Sequence, residues 1–381
     1  MLKKLNTKAI TVRLDELGYS QSDLSRLLNV TRTSVSQWFN GETFPRPAKL
    51  LRLGQVLSLK FPELVIGDTS TEPVIAFRKV AHSVTKESHI KRAREMGFAL
   101  EQLVPHLPYE TVTKPFSLNN PTIDYKYIQT AVKIVRGRLG ISQVRVEESE
   151  LIRFFSESNT ILIPLLLDSK NSHENALHIY LPYSATNWVY INLNTNVLDF
   201  KFWLVHELGH ILTPGLSMSL AEDFADNFAG AFLYPEDIAS SFYNKVSSAS
   251  SVRSQINKIL DEAKRYQIAP YTILLQINAY ARHNDMPVIN AGKMVFANQK
   301  NLFSELGTVS YRLFGKLKPQ VSDFISVTSR EFNTVFFDTL RLYIFNNPVS
   351  ASYIRSVLNL SVADSLALFN YLKYGVPADT N

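Results

Sequence analysis

Residues 200–212 read FKFWLVHELGHIL, an apolar run broken by His206, Glu207 and His210. Phe202, Leu204, Val205, Leu208 and Ile211 fall where a core-facing helix needs them. An uncompensated buried polar side chain costs on the order of several kcal/mol. A fold that buries this helix must therefore also supply something for the histidines and the glutamate. Residues four apart share a helix face, so His206 and His210 can offer two imidazoles to one ion with Glu207 beside them. Zn2+ suits imidazole, and a catalytic site needs three protein ligands plus an open position. Gly209 lowers helix stability by about 1 kcal/mol relative to alanine, which points to close approach of another backbone.

A third ligand is sought in SLAEDFADNFAGAFLYP (219–235), which has helical spacing. Glu222 shares that helix with Ala225, Phe228 and Ala229. Asp226, one turn on, is placed to accept a proton from the far nitrogen of a ligating histidine and so fix its tautomer. Ser219-x-x-Glu222 also reads as a capping box, and Asp223 and Asp226 stand as alternative ligands. A side chain to steady an oxyanion is expected. Tyr183, Tyr234 and His178 are candidates, and the sequence does not choose among them.

The chain has 381 residues and no cysteine, which excludes thiolate metal sites, thiol nucleophiles and disulfides. The start, MLKKLNTKAITVRLDEL, lacks an apolar core, and no uncharged apolar run reaches membrane-spanning length, so a cytoplasmic protein with no membrane partner is expected. Residues 1–66 hold ten Lys/Arg against five Asp/Glu, nearly all of the chain's +6 net charge. A basic head on a near-neutral body suits a polyanion. VIGDTSTEP (65–73) reads as a linker and 74–107 as helical. A helix is expected over 122–139. QVRVEES (143–149), TILIPLLL (160–167), ALHIYLP (176–182) and NWVYINLN (187–194) read as strands. Further helices are expected at 219–233, 251–266, 270–282 and in 297–374, with no repeat at a fixed period. The fold class is α+β, mainly helical: a helical head, an α+β middle with a small sheet and a helical tail.

In the head, SQSDLSRLLNVTRTSVSQWFNG (20–41) places a Ser20-capped helix, Asn29 at a tight turn, and a Thr31-capped helix with Val35 and Trp38 inward. Arg32, Thr33, Ser34, Ser36 and Gln37 then face outward, suited to base edges and phosphates. The segment resembles the XRE/Cro-type helix-turn-helix over about residues 5–60. Asn29, Ser25 and Phe39 depart from its usual glycine, alanine and acidic residue. The resemblance implies that 31–37 enter the major groove of a double-stranded operator and that Asn40 and Arg46 approach phosphates.

NWVYIN, HELGH and EDFADNFAGAFLYP together resemble the ImmA/IrrE metallo-endopeptidases over about residues 120–280. The resemblance implies a zincin-like domain in which His206, His210 and Glu222 bind zinc, Glu207 is the catalytic base and Asp226 supports a histidine. It also implies cleavage of a regulatory protein partner such as a repressor. Phe224 stands where many members carry a second acidic residue. An antitoxin-like repressor whose zinc is structural or sensory is the other reading. In such sites a strand pairs with extended substrate, and VYINL (189–193) is the candidate.

The expected organisation is a DNA-binding domain (1–66), a helical linker region (67–121), a metallopeptidase domain (122–289) and a helical C-terminal domain (290–381). The tail segment 347–372 has a Ser-capped helix, a short turn and another helix. Val349, Ile354, Leu358, Leu366 and Phe369 there read as packing, and dimerisation or partner binding is its expected role.

Overall fold

A computed structural model describes residues 4–59, 61–66, 73–77, 87–108, 111–112, 116–141, 145–158, 160–166, 176–182, 184–315 and 318–375. The head contains β1 (Lys4–Leu5), α1 (Thr7–Glu16), α2 (Gln21–Leu28), α3 (Arg32–Asn40), β2 (Phe44–Pro45), α4 (Pro47–Leu57), α5 (Phe61–Leu64) and β3 (Val65–Ile66). Leu24, Leu28, Val35, Trp38, Leu50, Leu53 and Leu57 form its core. Antiparallel pairing of β1 with β3 brings the two ends of the head together.

The middle begins with β4 (Val74–Phe77), α6 (Glu87–Glu101), a 3-10 turn over Val104–His106 and β5 (Thr111–Val112). Next come α7 (Tyr125–Arg138), α8 (Glu148–Glu157), β6 (Thr160–Leu165), β7 (Ala176–Leu181), β8 (Thr186–Asn192), α9 (Val197–Leu212) and α10 (Met218–Leu233). The remaining helices are α11 (Glu236–Ser247), α12 (Val252–Tyr266), α13 (Pro270–His283), α14 (Gly292–Leu306), α15 (Val309–Phe314), α16 (Val321–Glu331), α17 (Phe336–Asn346), α18 (Ala351–Leu358) and α19 (Val362–Tyr374).

Four strands form one sheet in the order β4-β7-β8-β6, with β6 parallel to β8 and the other pairs antiparallel. Side chains alternate across a strand, and β8 uses both faces. Val189 and Ile191 pack with α7, α9 and α10, while Trp188 and Tyr190 pack with α6 and α17–α19. The sheet is thus covered on both sides by helices.

Several sequence expectations change. Val74–Phe77, expected as helix, is a strand because it pairs along its length with Leu177–Tyr180 of β7. Of the expected strand 143–149, residues 143–144 lie outside the described residues. Glu148 instead starts α8, where the Glu147 N–H donates to Glu150 Oε2 at 2.8 Å. Most of the expected linker, 67–72, lies outside the described residues. VYINL is no free strand: β8 is paired on both edges, which leaves it no backbone groups for a substrate. Leu366, expected in the packing, is 50 % exposed. No helix among the described residues is long and apolar enough to cross a membrane.

Candidate metal centre and nucleic-acid interface

Helices α9 and α10 pack closely where both carry small side chains. A β-carbon added to Gly209 would lie 3.0 Å from Ala225 Cα and 3.2 Å from its Cβ. His206 and His210 flank Gly209 on α9, and Glu222 lies one turn before Ala225 on α10. The close approach therefore carries the carboxylate to the imidazoles.

His206 Nε2 and His210 Nε2 are 3.1 Å apart. Glu222 reaches His206 Nε2 at 3.6 Å and His210 Nε2 at 3.2 Å. The edge of a tetrahedron of zinc ligands at their usual bond lengths is about 3.3 Å. The donors thus form one face of such a tetrahedron, and all three residues are buried. On the far side of His206, Nδ1 lies 3.0 Å from Asp226 Oδ1. A proton on Nδ1, donated to Asp226, leaves the Nε2 lone pair facing His210 and Glu222.

The electrostatics favour a cation. Burial alone pulls the His206 imidazole down, but Asp226, Glu222 and Glu207 overcome it and hold it at about 9. Burial likewise pushes Glu222 up, and His206 and His210 draw it down to about 2. Burial raises Glu207 above the usual carboxylate range. Glu207 Oε2 is enclosed, with no hydrogen-bond partner among the described residues.

Ser219 is not a cap. Helix α10 starts at Met218 with Ser217 as its N-cap, so Glu222 lies inside the helix, and its carboxylate reaches both histidines. Asp223 is exposed and outside the cluster. Among the oxyanion candidates, Tyr183 lies outside the described residues, and the Tyr234 hydroxyl donates to Glu262 Oε1 at 3.1 Å. His178 borders the site: its ring stacks with His210 at 6.3 Å between centroids, and its Nε2 lies 2.8 Å from Asn187 Oδ1. Burial, followed by the neighbouring His210, holds His178 at about 3, so it is a neutral imidazole. Sequence reasoning missed Asn187. The signal was its place in NWVYIN, two residues before the inward-facing Val189, on the same side of the sheet as His178.

In the head, Ser20 and Asp23 form a reciprocal capping box at the start of α2. Asn29 ends α2 in the left-handed region at φ 51°, which asparagine tolerates. Thr31 Oγ1 accepts from Ser34 N at 3.1 Å to start α3. Val35 and Trp38 are buried, Arg32, Thr33, Ser36 and Asn40 are exposed, and Ser34 and Gln37 are half-buried.

Residues 11–64 match the helix-turn-helix family model. With this helix-turn-helix at its head, the chain reads as a DNA-binding regulator. No curated protein and no solved structure is significantly similar to the chain. The outward row on α3 is the face that the second helix of this helix-turn-helix leaves exposed. Arg46 is not on it. This arginine was expected near phosphate, but it is 9 % exposed and its backbone forms the N-cap of α4. The reason is the strand before it: Phe44–Pro45 pairs with Thr111–Val112, which draws this part of the helix-turn-helix against the body.

Proposed function

We propose that this DNA-binding regulator carries a zinc peptidase centre of the ImmA/IrrE kind, directed at a regulatory protein partner. The observation that carries the reading is the His206–His210–Glu222 face, with Asp226 behind His206 and the enclosed Glu207 carboxylate beside it.

His206, His210 and Glu222 would hold the ion. Zinc supplies Lewis acidity, lowering the pKa of water toward neutrality and polarising a peptide carbonyl. Glu207 takes the proton from the attacking water and passes it to the leaving amine. Its burial suits the first half of this exchange, because a carboxylate with a raised pKa is a stronger base than a solvated one. Asp226 fixes the tautomer of His206. His178 packs beside His210 with its one N–H given to Asn187 Oδ1, so it lines the site and does not donate to developing negative charge. The edges of the sheet among the described residues are β4 and β6. Strand β4 packs against α10, the helix of Glu222, and is the edge on which an extended substrate would lie.

A Glu207→Gln variant tests the reading. It should keep zinc and operator binding and lose cleavage of a co-expressed partner. If the zinc-loaded wild type leaves every protein encoded next to it intact, the peptidase reading fails.

A second reading, a zinc sensor without turnover, draws on one contact. The Leu118 N–H donates to the Leu212 carbonyl at the end of α9 at 2.8 Å. Leu118 follows closely on Thr111–Val112, which pairs with the head. A change at α9 would thereby reach the helix-turn-helix. Operator affinity unaltered by chelation removes this reading.

A further inference from the structure

Helices α7, α10 and α13 meet around a cavity of about 340 Å3. Small-molecule sites begin at roughly 300 Å3, so it has room for one compact organic ligand. Positions 276, 279 and 283 recur at helical spacing and turn one face of α13 toward it. The His283 ring stacks on the Tyr125 ring of α7, with 4.5 Å between centroids and 23° between planes. Together the two rings make a flat aromatic wall.

The polar groups of the lining are left for an occupant. Gln276 is buried, and neither of its amide atoms has a hydrogen-bond partner among the described residues. A buried amide without a partner is unfavourable, and this one lines the cavity. The neighbouring helix makes room for it: a β-carbon added to Gly230 of α10 would lie 2.2 Å from Gln276 Nε2. Glycine weakens a helix relative to alanine, so α10 gives up stability where the amide is seated. Gln129 is buried as well. Its Oε1 accepts from the Glu236 N–H at 3.1 Å, which leaves its Nε2 as a donor. Asn227 donates from Nδ2 to the Asp223 carbonyl at 2.7 Å and keeps Oδ1 as an acceptor. Arg282 is exposed and has no ion pair among the described residues. No carboxylate among the described residues lines the cavity.

These groups select a chemistry. A glutamine amide pairs at two points with the edge of adenine, which sets a donor beside an acceptor, whereas the matching edge of guanine sets two acceptors there. Aromatic rings stack bases. A guanidinium at the surface suits a phosphate, and a lining with one arginine and no carboxylate suits an anion. A volume near the lower end of such sites fits a single nucleotide. We propose that the cavity between α7, α10 and α13 binds an adenine mononucleotide, with Gln276 on the base edge, the Tyr125–His283 wall beside the base and Arg282 on the phosphate. Asn227 directly follows Asp226, so the occupant rests on the helix that carries Glu222. The inference rests on neither the metal centre nor DNA reading by the head.

Isothermal titration calorimetry of the full-length protein with AMP tests it. Saturable binding at one site per chain is expected. Gln276→Leu should weaken it at least about tenfold, and GMP should bind the wild type weaker than AMP by a similar factor. Adenosine, which lacks the phosphate, should bind weaker as well, and Arg282→Ala should remove the difference between AMP and adenosine. Gly230→Ala places a methyl where the Gln276 amide lies, and a flexible side chain swings aside from it, so the variant should fold and still lose affinity. Arg282 is at the surface, so Arg282→Ala carries the test if Gln276→Leu fails to fold. A wild type that does not bind AMP overturns the proposal, as does binding that survives Gln276→Leu and Gly230→Ala, or that is equal for AMP and GMP. So does binding that is lost with Arg32→Ala and kept in Arg282→Ala, since the nucleotide would then sit on α3.

Discussion

Gly209 of α9 lies so close to Ala225 of α10 that a methyl group added there would sit 3.0 Å from the Ala225 Cα, tighter than an ordinary contact. The obstacle is backbone, which cannot swing away as a long side chain would. Gly209→Ala gains about 1 kcal/mol of helix propensity, but overpacking typically costs about 1–3 kcal/mol. The helices must part by a few tenths of an ångström, which carries Glu222 away from His210. Zinc affinity, measured by competition with a chromophoric chelator, should fall at least tenfold. Unchanged affinity would show that the close approach does not position Glu222.

Asp226 touches His206 at Nδ1, on the side away from the other donors. Removing such an outer partner typically weakens metal binding about 10–100-fold. Asp226→Asn should show a loss of that size in the same competition assay. Asp223→Asn, on the same helix but outside the cluster, should show none.

The cluster of His206, His210 and Glu222 was more legible in the sequence than its surroundings. His206, His210 and Glu222 lie on two consecutive helices whose apolar spacing and small residues are visible locally. What escaped depends on partners far along the chain. VYINL looked like a free substrate-binding strand because its parallel neighbour β6 and antiparallel neighbour β7 cannot be read from its own residues. The burial of Arg46 follows from a strand at 111–112, far from the head in sequence. In the tail, Leu366 satisfied a packing pattern, yet the structure leaves it on the surface. Periodicity marks an apolar face but does not say whether this chain covers it.

Arg32 and Arg46 separate reading from folding in the head. Arg32→Ala removes an exposed side chain from α3, and the loss of a base or phosphate contact is expected to cost about 1–3 kcal/mol of operator binding. Fluorescence anisotropy should show this with no change in thermal unfolding. Arg46→Ala, at a buried position, should instead lower the unfolding temperature. The reverse pattern would place Arg46 at the DNA.

Lys201 lies on α9 and is 2 % exposed, with its ammonium donating to the Val146 carbonyl at 3.0 Å and the Tyr266 carbonyl at 2.9 Å. Burial, then the nearby Arg145, lowers its pKa to about 8. The unfolded value is about 10.4. Between these values the unfolded chain holds more protons, so stability rises with pH across that window. Below about 8 both states are protonated and the cost of burying the cation is fully present. Denaturant titrations from pH 7.5 to 10 should show this rise, and Lys201→Met should remove it. An unchanged pH profile in the variant would assign the rise to other groups.

The account centres on a metal ion bound between α9 and α10. Its most direct test is elemental analysis of the purified chain beside His206→Ala and Glu222→Ala, each after loading with zinc and removal of excess. The account predicts about one zinc per wild-type chain, since one set of three donors is present among the described residues, and near-complete loss in both variants with DNA binding by the head retained. A wild-type chain that takes up no zinc, or variants that retain as much as the wild type, would contradict it.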